Sequence, residues 1–108
     1  MNLNKIYDII KIKKGVFILE YNRVVYKYIL PQGGSITLKK PFNRFLKVGE
    51  QNENLVLWVE EELESEETKI QFIILGTGWK YPDNFQYIDS VQMSDGLVWH
   101  VFYKIILP

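Results

Sequence analysis

The chain has 108 residues, 47% of them hydrophobic and 15% aromatic, and these values predict one folded domain with a single core. Thirteen basic residues balance thirteen acidic ones, so no bulk charge attracts nucleic acid or an anionic membrane, and we expect neither as a direct partner. The chain has no cysteine, which excludes disulfides, cysteine-ligated zinc, iron–sulfur clusters and thiol nucleophiles.

The first residues fit two structures. Four apolar side chains share one helical face: Leu3, Ile6, Tyr7 and Ile10. Gly15 is placed to end such a helix. Yet isoleucines alternate with lysines over residues 10–13, and residues 13–15 could equally turn a hairpin into the next strand. The β-branched isoleucines favour the strand slightly. Residues 1–14 carry charges throughout, so we expect no signal peptide, and no segment reaches transmembrane length.

From residue 16 onward, apolar and polar residues alternate between turn signals, which is typical of β-strands. The predicted strands are Val16–Tyr21, Val24–Leu30, Ser35–Lys39, Phe45–Val48, Asn54–Glu62, Lys69–Leu75, Gln86–Met93 and Leu97–Leu107. Tight turns at residues 31–34, 51–54 and 94–96 join neighbours in sequence, which predicts antiparallel pairing. We therefore expect one all-β domain, mainly antiparallel, either a small β-sandwich or a strongly curved sheet, with room for a short N-terminal helix.

The acidic segment Glu60–Glu67 joins two apolar strands, and we expect it to be a solvated hairpin tip because like charges repel and stay in water. Trp58 and Trp99 alternate with other apolar residues within their strands, so we expect both in the core. Between residues 76 and 85 lies the one sizeable irregular stretch, and a loop of this length in a small domain has room for function.

The closing strand is apolar on both faces. One face carries Leu97, Trp99, Val101, Tyr103, Ile105 and Leu107, and the other carries Val98, His100, Phe102, Lys104 and Ile106. A half-exposed antiparallel strand would be polar at every second position, so this strand should be covered on both sides for much of its length. A sandwich covers only one side, so we expect the other to meet the N-terminal segment, a second subunit in a homo-oligomer, or a partner protein.

Six residues form the candidate site for a ligand or partner: Gly76, Thr77, Gly78, Trp79, Tyr81 and His100. The glycine pair follows an apolar strand but lacks the further residues of a phosphate-binding loop, so it is either a tight turn or a loop whose amides contact a ligand. Trp79 and Tyr81 are either recognition rings or packing over the open end of the sandwich.

His100 is the only histidine, and it is either a structural or interface residue or a general base. The sequence shows no serine or cysteine nucleophile motif beside it. The aspartates at 83, 89 and 95 are isolated and have no histidine or cysteine companions, so we expect no catalytic residue, no metal and no cofactor.

Several segments together resemble a known family. They are Val25-Tyr26-Lys27-Tyr28, Phe45-Leu46-Lys47-Val48, Asn54-Leu55-Val56-Leu57-Trp58-Val59, Ile74-Leu75-Gly76-Thr77-Gly78, Tyr87-Ile88-Asp89-Ser90-Val91-Gln92 and Gly96-Leu97-Val98-Trp99-His100-Val101-Phe102. In these pieces the chain resembles a family of small bacteriophage and prophage proteins of unknown function. Residues 24–108 would be the family-like core and residues 1–23 an N-terminal extension. The family's glycine turn usually continues with a histidine, where this chain has Trp79.

The resemblance implies a phage origin and a place in the host bacterial cytoplasm, but no established activity. We expect a non-catalytic protein that inhibits an anti-phage defence system, as anti-CRISPR proteins and immune-signal sponges do. Its partner would be a host defence protein or a small signalling nucleotide, bound through a protein surface or between subunits. The alternatives are a structural or assembly component of a phage particle, and an enzyme in which His100 is a base acting on a nucleotide or a glycan.

Overall fold

A computed structural model describes residues 22–107 in full, together with the backbone of residues 10–13 and 16–19. Every regular element in these residues is a β-strand. In chain order they are β1 Ile10–Lys13, β2 Val16–Leu19, β3 Arg23–Leu30, β4 Gly34–Lys40, β5 Phe42–Gln51, β6 Asn54–Glu62, β7 Thr68–Gly76, β8 Gln86–Gln92 and β9 Val98–Ile106. The prediction of an all-β, antiparallel domain is confirmed.

The strands form two main sheets, which pack face to face as a sandwich. One has the order β3-β6-β5 and the other the order β4-β7-β9-β8, and every pair is antiparallel. In addition, β1 pairs with β2 as a separate antiparallel hairpin, which confirms the strand alternative over residues 10–13. Residues 14 and 15 of the alternative turn at residues 13–15, and residues 3–9 of the alternative helix, lie outside the described residues.

The turn between β5 and β6 shows how local sequence sets the strand register. Asn52 and Glu53 both have positive φ, 52° and 66°, as the central residues of a two-residue type I′ hairpin turn require. Gln51 therefore faces Asn54, and the alternation of β6 is fixed from this end. The predicted turn at residues 51–54 is confirmed. The antiparallel pairing predicted across residues 31–34 is wrong, because β3 and β4 lie in different sheets.

The core lies between the two sheets. It is built from inward-facing residues of the longer strands, and Phe72 at the middle of β7 is completely buried. The buried cluster comprises Leu30, Val48, Leu55, Leu57, Val59, Ile70, Phe72, Ile74, Met93, Trp99 and Val101. Four aromatic rings surround this cluster at one end of the sandwich, where Phe42 and Phe45 meet Phe72 edge-on at centroid distances of 6.2 and 5.6 Å.

Of the two tryptophans predicted in the core, only Trp99 is there, with 9% of its surface exposed. The prediction for Trp58 is wrong. Its neighbours Leu57 and Val59 point into the core, so Trp58 points to the opposite face of the sheet, where it lies half-buried across from Lys27 and Lys47. The alternation was apparent from the sequence, but which of its two faces is buried was not.

The expectation for the acidic segment is wrong for its first two residues, and the segment is not a hairpin tip, because β6 and β7 lie in different sheets. Glu60 and Glu61 belong to β6 and are buried, with 8% and 2% of their surface exposed, whereas residues 63–67 form an exposed connection between the sheets. Arg44 Nε donates to Glu60 at 2.5 Å, and this contact lowers the pKa of the Glu60 carboxyl. Glu61 accepts a hydrogen bond from the Tyr28 hydroxyl, whose pKa is raised by burial and by that carboxylate. Partners on the neighbouring β-strands thus compensate for taking both charges out of water.

The inner face of the closing strand β9 is buried at Trp99 and Val101 and opens at Ile105, while its outer face is half-buried. The chain's own loop supplies part of the outer cover. The Tyr81 ring packs on Phe102 with centroids 4.4 Å apart, and the Lys104 ammonium lies 5.1 Å from the centre of the Phe85 ring. Towards the end of the strand, half of the surface of Ile105 is exposed. Cover by a second subunit stays a prediction.

Candidate functional site

All six predicted site residues lie in one place. A cavity of about 130 Å³ opens where β7 ends, beside the outer face of β9. Its lining residues are Leu75, Gly76, Thr77, Gly78, Trp79, Tyr81, His100 and Phe102. We call this cavity the aromatic concavity. Leu75 and Gly76 end β7, residues 77–81 belong to the loop that follows, and the last two lining residues come from β9.

Two glycines, Gly76 and Gly78, determine the conformation of the loop for different reasons. Trp79 donates its backbone N–H to the Gly76 carbonyl at 3.1 Å, which closes the turn. Gly78 has a φ of +91°, a conformation that side chains with a Cβ rarely adopt. The Trp79 ring then folds back over Gly76, where a Cβ would lie only 2.9 Å from the indole. Glycine is therefore required at one position for the backbone and at the other for the ring.

Trp79 connects the surface to the core. Its ring meets the buried Trp99 ring edge-on at 5.7 Å, and both rings lie 3.5 Å from the point where a Cβ on Gly33 would sit. Yet 52% of the Trp79 surface is exposed. The ring therefore packs over the end of the sandwich and still has surface exposed to solvent, and its role as a recognition ring stays a prediction.

His100 is held on both sides by hydroxyl groups. Its Nδ1 lies 2.7 Å from Ser90 Oγ, and its Nε2 lies 2.8 Å from Thr77 Oγ1. Ser90 Oγ is also 2.7 Å from the Tyr87 hydroxyl, so a chain of four polar groups runs from the loop to β8. A hydroxyl can donate or accept, so this arrangement suits either tautomer of the imidazole, and the ring is fixed in place by both partners.

The hydroxyl partners do not form a catalytic triad with His100. In a serine hydrolase a carboxylate orients the base, but no carboxylate contacts His100 in the described part of the chain. Asp89, next to Ser90 on β8, instead accepts the backbone N–H of Ser90 through its Oδ1 at 2.8 Å. Among residues 22–107, no group of three or more histidines, aspartates or glutamates is arranged to hold a metal ion.

Three residues of this region were missed in the sequence: Tyr87, Ser90 and Phe102. Tyr87 and Tyr81 flank the Phe102 ring, with centroids 5.4 and 4.4 Å from it. The position of Ser90 could have been predicted from the turn at residues 94–96. A hairpin that pairs Gln92 with Val98 across this turn also pairs Ser90 with His100. A bulge after Tyr87 shifts that count by one residue and brings Tyr87 opposite Phe102.

The concavity is uncharged and rich in aromatic rings. None of its lining residues is a lysine, arginine, aspartate or glutamate. Tyr81 and Tyr87 expose 47% and 57% of their surfaces, so the rings are accessible from solvent. The arrangement can take up an apolar group and offer ring N–H and O–H donors around it.

A second cavity, of about 320 Å³, opens at the other end of the sandwich between β5 and β7. Its lining includes Phe42, Phe45 and Tyr103, with Arg44 at the rim. Arg44 is already bound to the Glu60 carboxylate there. The described lining of this second cavity therefore contains no group comparable to the Thr77–His100 pair of the aromatic concavity.

Comparisons with known proteins give a family for the chain. No curated protein and no solved structure matches it. In the part of the chain that the structure describes, no helix has the length and apolar character needed to cross a membrane. The model of a family described as a domain of unknown function, DUF7352, matches residues 21–106. The chain therefore belongs to the DUF7352 family.

Proposed function

We propose that this domain is a non-catalytic binding protein that engages its partner through the aromatic concavity. The observation that carries the proposal is Trp79, whose indole is held by Gly76 and Trp99 and is nevertheless half-exposed. A rigid, accessible aromatic ring contributes contact area at a low cost in conformational entropy, and such rings dominate the energetics of many interfaces.

The polar groups of the site support binding rather than catalysis. Among the described residues, His100 has hydroxyl partners on both ring nitrogens and no carboxylate partner. Thr77 lines the cavity and would be the nucleophile of a catalytic dyad, but such a dyad would lack the carboxylate that orients the base in a serine hydrolase. We assign to this network the role of fixing the shape of the concavity.

The biological setting is part of the same proposal and rests on the sequence resemblance. The domain would act in the cytoplasm of a bacterial host as a phage-encoded inhibitor of an anti-phage defence system. A host defence protein or a small signalling nucleotide would occupy the concavity, and a homo-oligomer would cover the remaining apolar surface of β9. This setting is consistent with a small domain that carries binding features and no catalytic constellation.

A defence-challenge assay tests the proposal. Bacteria with an active defence system would express either the wild type or a variant and then be infected. Trp79→Ala and Tyr81→Ala should remove protection of the phage while the purified variants stay folded. Tyr26→Ala is the matched control, because Tyr26 is similarly exposed, 42% against 47% for Tyr81, but lies on the other sheet. Unchanged phage protection by both concavity variants would contradict the proposed site.

A second candidate, a structural role in particle assembly, has one observation in its favour. Strand β3 is an edge of its sheet in the described structure, and its residues Val25 and Ile29 each expose 58% of their surface. An apolar edge strand is a template for pairing with another chain. Mass spectrometry of purified phage particles separates the two roles, because an inhibitor of defence should be absent from the particle.

A further inference from the structure

The size of the aromatic concavity limits its occupant. At about 130 Å³ it is close to an engineered cavity of about 150 Å³ that holds one benzene molecule. Sites for whole small molecules are usually about 300 to 1,000 Å³. The concavity therefore has room for one ring or one side chain, and a free nucleotide would leave its sugar and phosphates outside.

The charge of the concavity argues against a nucleic acid as well. Single strands bind where stacked bases are accompanied by cations that follow the backbone. The lining has aromatic rings but no lysine or arginine, so a phosphate beside the bound base would meet no cation. A neutral group delivered by a protein partner fits both the size and the charge.

Two hydrogen-bond donors of the site are free. Within the described residues, Trp79 Nε1 and the Tyr81 hydroxyl have no hydrogen-bond partner, and both side chains are about half-exposed. In the core beside Trp79, Trp99 Nε1 is also buried without an acceptor in those residues, although Trp99 does not line the concavity. In contrast, Thr77 and His100 satisfy each other. A ligand that supplies hydrogen-bond acceptors would therefore match the free donors of this site.

We propose that the concavity binds a proline-containing extended segment of a partner protein. This inference rests on the proposed function and specifies the partner's chemistry. A segment in the polyproline II conformation has carbonyls with no internal hydrogen bonds, and its prolines carry no N–H, so it supplies acceptors where this site supplies donors. One pyrrolidine ring is of a size to enter the concavity between Trp79 and Phe102. Aromatic-lined grooves are a general solution for recognising such segments, because the ligand is already ordered before it binds.

The test is an NMR titration of the full-length protein with a decaproline peptide. The chain has three tryptophans, so its ¹H–¹⁵N spectrum contains three indole signals, and Trp58 on the opposite sheet is an internal control. The Trp79 indole signal should shift in a saturable way while the Trp58 signal stays in place. A ten-residue glycine–serine peptide should cause no saturable shift, because it has to lose far more conformational entropy on binding.

Conservative variants test whether the Trp79 N–H and the Tyr81 hydroxyl contribute hydrogen bonds to decaproline binding. Trp79→Phe keeps an aromatic ring but removes the N–H, and Tyr81→Phe removes only a hydroxyl. Loss of one hydrogen bond should weaken decaproline binding by roughly fivefold in each case. Tyr26→Phe should leave the affinity unchanged, since that tyrosine lies on the other sheet.

Two results would overturn the inference. One is no saturable shift of the Trp79 signal with decaproline, and the other is an equal response to the glycine–serine peptide or to adenosine monophosphate. These failures are distinct from failure of the proposed function. If decaproline does not bind but Trp79→Ala still abolishes phage protection, only the proline specificity is wrong. If decaproline does not bind and the Trp79→Ala variant still protects the phage, the concavity is not the binding site.

Discussion

Replacing Gly76 with alanine should displace the Trp79 ring from its packing position against the Gly76 backbone. The added Cβ would lie 2.9 Å from indole atoms Cε2 and Nε1, so the ring has to move outward by about 0.5 Å to reach ordinary contact. The ring is half-exposed and has space to move, so we expect the low end of the overpacking cost, about 1 kcal/mol. Weakening of the edge-on contact with Trp99 adds roughly 0.5 kcal/mol.

The Gly76→Ala variant is compared with the wild type by its melting temperature, by the NMR signal of the Trp79 indole, and by ligand binding or phage protection. A loss of about 1.5 kcal/mol corresponds to a decrease of roughly 6 to 12 °C in melting temperature for a domain of this size. Gly49→Ala is the matched control, since its Cβ would lie 3.3 Å from the Trp58 ring on the other sheet. It should leave the concavity intact whatever it does to stability. If Gly76→Ala changes neither the melting temperature nor the Trp79 indole signal, the described packing of the ring is wrong.

Three further predictions concern the core, the buried carboxylate and the histidine. Phe72→Ala removes a completely buried ring and should cost about 3 to 5 kcal/mol, measured by urea unfolding; a loss below about 1 kcal/mol would contradict its central position. The pKa of Glu60 is lowered in the folded state by Arg44, so its stabilisation is present above its ordinary pKa of 4.5 and is lost as the pH falls through the lower folded value. Arg44→Met should therefore reduce the drop in melting temperature between pH 5 and pH 2, and an unchanged drop would exclude this contact as its cause. Ser90→Ala removes the hydroxyl at His100 Nδ1 and should cost about 1 kcal/mol while shifting the imidazole ring signals in NMR, and unaltered ring signals would refute the contact.

Two of the five strand pairs in the main sheets could be predicted from the chain because they are hairpins, whereas β3–β6, β4–β7 and β7–β9 join strands that are distant in sequence. Hairpin turns at residues 51–54 and 94–96 join sequence neighbours, so alternation and turn chemistry together determine β5–β6 and β8–β9. The turn at residues 94–96 also sets the register that places Ser90 opposite His100, so this part of the site is encoded locally.

Other features depended on packing between the sheets. Trp58 and Trp99 have the same alternating surroundings, yet one points away from the core and the other into it. Glu60 and Glu61 look like part of a solvated acidic tip until the arginine and the tyrosine on neighbouring strands are in place. Period-two alternation defines two faces of a strand, but only the opposing sheet decides which one is buried.

The sequence by itself determined the fold class, the strands and the candidate set of glycines, rings and histidine, because turn residues and side-chain alternation act over a few positions. Only the tertiary structure decided that Trp79 lies on Gly76 and Gly33, that two hydroxyls hold His100, and that the loop after β7 covers part of β9. Gly33 and Gly76, or Thr77 and His100, are separated by more than twenty residues. These contacts lie within the four-stranded sheet and depend on the pairing of β7 with β4 and with β9, strands that are distant in sequence, so no local pattern encodes them.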